Sequence, residues 1–376
     1  MNKYKVLCGV DRLEDADSLL KGKRIALLTA ASGVNKEGIP TYELIHRKYR
    51  LKVMFSPEHG IRSNLQDGKF GDEGGEIDSE TGAFMYGLTS KGHPKLDEIL
   101  SDIDIVVYDI QDVGARFYTY LCNLTQIMRA CKRAQIPVLV LDRPAPCDGL
   151  TLEGALLDEN EFSSFIGEFE IPTRYGMTVG EYALFVNVEK GIDCELYVHR
   201  CEGWKRETYY DETDLLFINP SPNIPSVSSI FNYYGACLYE ATNISEGRGT
   251  TRPFDMIGAP FVDSRALYDE MVSYNLPGVV FRRVCFIPQF NKHAGEVCEG
   301  LELHVTDRKE YLPILTHMYM LRHFRRYKEY TEREDGLCLR YGNRDILGEF
   351  DPERVECKND EKIREFLRVR EKYLLY

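Results

Sequence analysis

"KRIALLTAASGVNKEGIPTYELIHRKYRLKVMFSPEHG", residues 23–60, decides the fold. KRIALLTA (23–30) is a short apolar run without alternation, the pattern of a strand buried on both faces. A polar loop with Gly and Pro follows, then TYELIHRKY (41–49), which is amphipathic at helical spacing. LKVMFS (51–56) is a second apolar run. Strand, helix and strand in this order form a βαβ unit, whose strands are parallel and whose crossover is right-handed. The pattern continues outward. DIDIVVYDI (102–110) and IPVLVLDRP (136–144) read as strands, with the helical pattern YTYLCNLTQIMRACKRA (118–134) between them.

Residues 1–200 are therefore expected to form a Rossmann-like α/β domain with a parallel sheet. Beyond about residue 200 the texture changes, and Pro and Gly punctuate short strand-like runs such as NLPGVVFRRVCFIP and GLELHVTD. Residues 201–376 read as a smaller α+β lobe, with the active site expected in the cleft between the two. Helical patterns are expected over 311–330 and over 358–376. The segment 63–82 is polar and Gly-rich, and a loop of that length is functional or mobile.

Composition excludes several classes. The chain has 376 residues with 60 acidic and 47 basic side chains, a net charge of −13, which argues against a nucleic-acid binder. Eleven cysteines are scattered without a CxxC pair, as expected of small core residues in a reducing compartment. The N-terminus has no signal-like apolar region and no stretch reaches the ~18 apolar residues of a membrane span, so the expected location is cytoplasmic. Neither GxGxxG nor GxxxxGK[ST] occurs, and no cofactor is expected. His59, His93, His199, His293 and His304 show no metal-ligand spacing.

In an open parallel sheet, ligands bind beyond the carboxyl ends of the strands. Here those ends carry Ser32 and Asn35, then Glu58 and His59, then Asp109, Gln111, Asp112, Arg116 and Tyr118, then Asp142 and Arg143. For Asp142 a cap or turn role competes with a functional one. A second polar cluster, EATNISEGRGTTRPFD (240–255), holds Asn243, Glu246, Arg248 and Thr250, with Gly247 and Gly249 expected to let a ligand approach the backbone. A capped polar hairpin is the competing reading. NPSPNIPS (219–226) is a rigid turn able to position Asn223. Thr178 and Glu181 have the spacing of a capping box ahead of a helix. Paired carboxylates among arginines and aromatics suit glycoside hydrolysis, in which one carboxylic acid protonates the leaving oxygen and a second carboxylate acts as base or nucleophile.

Seven stretches, FSPEHGIR, DIQDVGARFYTY, VLDRPAP, IPTRYGMTVGE, NPSPNIP, EATNISEGRGTTRPFDMIGAPF and HVTDR, resemble in order the motifs of NamZ-type exo-β-N-acetylmuramidases, from about residue 20 to the C-terminus. The resemblance implies an enzyme that removes N-acetylmuramic acid from the non-reducing end of peptidoglycan fragments. Its substrate would be a small muropeptide or muramic-acid-containing saccharide. It makes Glu58 the general acid with His59 beside it, and leaves Asp112 and Glu246 competing as second carboxylate. Arg62, Arg116 and Arg248 become candidates for the lactyl carboxylate, which a guanidinium fork matches. Tyr118 is expected to stack on the sugar. Asp109, Asn223, Asn243 and Thr250 join the substrate-binding set. The chain departs from the family at Ser63, where glycine is usual, and over Thr81–Tyr86. Two other readings stay open: a non-catalytic muropeptide-binding protein and a metal-dependent hydrolase or deacetylase.

Overall fold

A computed structural model describes residues 3–58, 60–62 and 75–376. His59 and Ser63 lie outside them. The first half contains α1 (Asp17–Leu20), β1 (Arg24–Thr29), α2 (Thr41–Lys48), β2 (Arg50–Ser56), β3 (Glu76–Ile77), β4 (Phe84–Gly87), α3 (Leu96–Leu100), β5 (Ile105–Asp109), α4 (Tyr120–Ala134), β6 (Val138–Leu141), α5 (Glu159–Phe162), α6 (Val179–Glu189) and β7 (Leu196–His199). The second contains α7 (Val227–Ala236), β8 (Met256–Ala259), α8 (Ser264–Ser273), β9 (Val279–Phe286), β10 (Cys298–Val305), α9 (Pro313–Phe324), α10 (Glu334–Tyr341) and α11 (Pro352–Arg370).

The first sheet has the order β3-β4-β2-β1-β5-β6-β7. All neighbours pair in parallel except β3 with β4. From β1 the chain runs outward to β2 and β4, then crosses back to β5, where Thr29 lies opposite Asp109. That reversal opens a crevice at the carboxyl ends of the strands. The α/β fold expected from the sequence is the one observed.

Three strands carry no clear signal in the sequence. β3, β4 and β7 lie towards the sheet edges, and their residues are half-buried or exposed. An edge strand is partly solvated, so it lacks the unbroken apolar run that marks a central one. α11 starts at Pro352, earlier than the amphipathic pattern indicates, because Asp351 caps it by accepting from the N–H groups of Glu353 and Arg354. The capping box of Thr178 and Glu181 forms as expected and starts α6.

The second sheet is antiparallel, in the order β8-β10-β9. One continuous apolar core runs through both lobes, from Phe55 and Val107 to Tyr234 and Phe324. The chain ends are tied back onto the first lobe. Tyr376 Oη donates to Asp142 Oδ2 at 2.7 Å, and Leu375 N donates to Glu181 Oε1 at 2.7 Å. Asp142 also accepts from Thr178 Oγ1 and Gly180 N, so its carboxylate anchors α6 and the C-terminus. Residues Leu7 and Tyr4 bridge to Glu202 and Thr213. Among the described residues no helix is long and apolar enough to cross a membrane.

Candidate active site

A cavity of about 350 Å³ opens between the lobes. The first lobe supplies Glu58, Phe117, Tyr118, Thr119 and Ile166; most of the remaining wall comes from the second. Glu58 reaches it because β2 stops at Ser56-Pro57. Proline lacks the N–H that a continuing ladder needs. Gly60 N then donates to Pro57 O at 3.1 Å, closing a turn that carries Glu58 at the strand's carboxyl end. Glu58 stays partly solvated, and its charge is felt by the buried Tyr120 hydroxyl.

The Asp112–Arg116 turn looks like chemistry in the sequence; in the structure Asp112 and Arg116 are buried off the cavity lining. Asp112 Oδ1 accepts from Gly114 N at 2.6 Å and from Tyr175 Oη at 2.5 Å. Burial pushes its carboxyl up to about 6, and Oδ2 has no partner among the described residues. Arg116 is fully buried. Its Nη1 donates to the carbonyls of Ala155 and Ile171, and its Nη2 to that of Arg340 at 2.7 Å. With no carboxylate beside it, burial lowers the guanidinium to about 9. Neither side chain lines the cavity. What the turn delivers is Phe117-Tyr118-Thr119, the aromatic floor. Phe117 meets Tyr233 edge-on at 5.2 Å, and Tyr233 meets Phe254 at 4.7 Å. Apolar ring faces of this kind suit the C–H face of a sugar.

The opposite wall is a chain of alternating charges. Lys292 Nζ lies 2.8 Å from Glu246 Oε2, and Arg248 Nε lies 3.1 Å from Glu246 Oε1. Arg248 Nη2 bonds Glu240 at 2.5 Å, and Arg340 Nη2 bonds the other Glu240 oxygen at 2.8 Å. Three cations against two carboxylates leave this wall at +1, in a chain whose net charge is −13. Burial pushes the Glu240 carboxyl up, and the Arg248 and Arg340 guanidinia outweigh it, so Glu240 sits below its ordinary value. The Arg248 guanidinium lies 5.2 Å over the Phe254 ring, and among the described residues its Nη1 has no hydrogen-bond partner.

Of the sequence candidates, Glu58, Tyr118, Glu246 and Arg248 share this cavity. The others are placed differently. Asp109 is buried and takes Arg143 on both oxygens, with Thr41 donating to it as well, since a buried carboxylate needs this compensation. Arg62 faces Asp78 at 2.8 Å and the Tyr42 ring. Asn243 ties its amide to Glu329 O and Thr331 N. Thr250 closes its own turn onto Gly247 O and Arg252 N. Asn223 is buried between Ser221 and Ile224, which do line the cavity. Gly247 and Gly249 are required by chain packing rather than by a ligand: a Cβ would stand 2.7 Å from Met256 O and 2.6 Å from Phe290 O. Both have positive φ, at 76° and 82°. Sequence reasoning missed Glu240, Lys292, Arg340 and Tyr233. Glu240 opens the very motif that holds Glu246, and Tyr233 lies on α7 just before it; Lys292 and Arg340 come from distant segments with no local signal. Among the described residues no three His, Cys, Asp or Glu side chains converge as a metal site.

Comparison with known proteins identifies the family. The N-terminal domain profile of the exo-β-N-acetylmuramidase NamZ matches residues 25–228, and the C-terminal profile matches 231–376. The chain belongs to the NamZ family. It is 41% identical, over its full length and 92% of the relative, to the peptidoglycan β-N-acetylmuramidase NamZ of Bacillus subtilis strain 168. Two crystal structures of DUF1343 family proteins from Bacteroides fragilis NCTC 9343 share the NamZ fold. One superposes with a TM-score of 0.90 at 31% identity, with both chains fully covered. The other has a TM-score of 0.80 at 28% identity, with 99% of each chain covered.

Proposed function

We propose that this protein is an exo-acting glycosidase that releases N-acetylmuramic acid from the non-reducing end of peptidoglycan-derived fragments. The observation that carries the reading is the cavity wall. An arginine-bearing wall facing the cavity of an acidic protein suits a sugar that itself carries a carboxylate, and the lactyl group of muramic acid is such a carboxylate. Arg248 offers its Nη1 to that group. Tyr118, Tyr233 and Phe254 pack the ring.

Glu58 is the general acid in this reading. It lines the cavity from the first lobe, where a carboxylic acid would protonate the leaving oxygen. Glu246 is the second carboxylate. Two cations contact it, a setting that suits a base, a nucleophile or a stabiliser of the oxocarbenium-like transition state. Asp112 lies off the cavity lining and supports the floor.

A chromogenic N-acetylmuramide and a muramic-acid-terminated disaccharide test the proposal. The purified protein should release the aglycone from the first and free muramic acid from the second. Saturable binding without release would instead identify a muropeptide-binding protein, and activity abolished by chelator would identify a metal-dependent hydrolase.

A further inference from the structure

The loop 287–297, between β9 and β10, supplies Lys292 to the cavity wall. An ammonium has three N–H donors. Lys292 spends one on Tyr239 O at 2.6 Å, one on Ile244 O at 3.0 Å and one on Glu246 Oε2 at 2.8 Å. None remains for a ligand, although the side chain borders the site. Lys292 therefore acts only through its partners, all of which lie on the segment that carries Glu246.

The same loop grips that segment elsewhere. His293 Nε2 bonds Asn243 O at 2.7 Å, and Gln289 N donates to Gly249 O at 2.9 Å. A side-chain and a backbone contact thus hold the segment's backbone on either side of Glu246, and Lys292 holds the carboxylate itself. The ionisable groups facing Glu246 are Lys292 from this loop, Arg248 from its own turn with Glu240 behind it, Tyr233 from α7, and Glu58 from β2 across the cavity. Lys292 alone among them comes from the β9–β10 connection.

We propose that Lys292 is a positioning residue that fixes Glu246 as an oriented anion, making the 287–297 loop part of the catalytic machinery. The inference rests on Glu246 being the second carboxylate of the proposed glycosidase. Removing the ammonium takes one of two cations from a carboxylate that is 2% exposed and leaves the carbonyls of Tyr239 and Ile244 without their donor. Arg248 alone would then face the carboxylate, through one ion-pair contact at 3.1 Å.

The full-length protein carrying Lys292→Met tests this, with Lys292→Arg as the rescue and Lys292→Gln as the alternative where the Met variant does not fold by circular dichroism. With the chromogenic muramide, kcat should fall about 100-fold while KM moves less than about threefold, because a displaced catalytic group costs rate rather than binding. The acid limb of kcat should move up, because one of the two cations beside the carboxylate is lost, and Lys292→Arg should restore most of it. Carboxyl-carbon NMR of 13C-labelled glutamate, with Glu246 assigned through Glu246→Gln, reads the same shift without turnover. A folded Met or Gln variant whose Glu246 titrates as in the wild type overturns the inference. A wild type that cleaves no muramide while its Lys292 variants still shift Glu246 overturns the glycosidase reading and leaves the fixed anion standing.

Discussion

Replacing Glu153 by Gln should remove a large part of the protein's loss of stability at rising pH. Glu153 is 5% exposed. Its Oε1 accepts from Ile314 N at 2.8 Å at the start of α9, while Oε2 is buried without a partner among the described residues. Burial, and then the like charge of Glu356, push its carboxyl up to about 8. Glu356 is itself pushed up to about 7, chiefly by burial. The folded chain therefore keeps the Glu153 proton between about pH 4.5 and 8, where the unfolded chain has released it. More protons bound in the folded state means that stability is full below pH ~4.5 and falls as pH rises towards 8. At about 1.4 kcal/mol per pH unit, the rise from 4.5 to about 8 corresponds to a loss on the order of 3–5 kcal/mol. Gln keeps the Oε1 acceptor for α9 and has no proton to lose. Urea unfolding of both proteins at pH 5, 6, 7 and 8 measures the difference. Asp112 and Asp142, each raised to about 6, contribute in both proteins and cancel. The variant should gain on the wild type steadily, by several kcal/mol between pH 5 and 8. A difference independent of pH across that range would refute the argument, because it would mean that Glu153 ionises inside the fold as it does in water.

Glu58→Gln removes the proposed acid and should lower kcat/KM for the chromogenic muramide about 10²–10⁴-fold with little change in muramic acid affinity by calorimetry; full retained activity would remove Glu58 from the role. Arg248→Lys loses the planar fork, and the preference for muramic acid over its analogue lacking the lactyl group should shrink about 10–100-fold in Kd. An unchanged ratio would place the lactyl carboxylate elsewhere. Gly342→Ala puts a Cβ 2.8 Å from Arg116 Nη1 at a φ of 120°, and should cost about 1–3 kcal/mol by urea unfolding; a cost near zero would show that the Arg116 strut has room to move.

The central sheet could be read from the chain because its signals are local. β1, β2, β5 and β6 are apolar runs separated by helix-length patterns, and a strand buried on both faces has no other way to be written. The Thr178–Glu181 cap was equally visible, since both partners lie within one helical turn. Edge strands were not, because half-solvated residues tolerate any composition. Residue type did not reveal which polar groups are buried away from the cavity. Asp109, Asp112 and Arg116 look functional in the sequence, yet they are buried against Arg143, against Tyr175 and Gly114, and against backbone carbonyls.

By itself, the sequence determined the α/β class, the family and the two segments that carry Glu58 and Glu246, because these depend on residue order over short spans. Tertiary structure alone decided which polar residues remain available to a ligand. Lys292 lies 46 residues beyond Glu246, and Arg340 lies 100 beyond Glu240, yet both cations complete the same wall. A buried charge is tolerated only where a partner meets it, and a partner brought across such a distance is recorded in the packing of the chain and not in any local pattern.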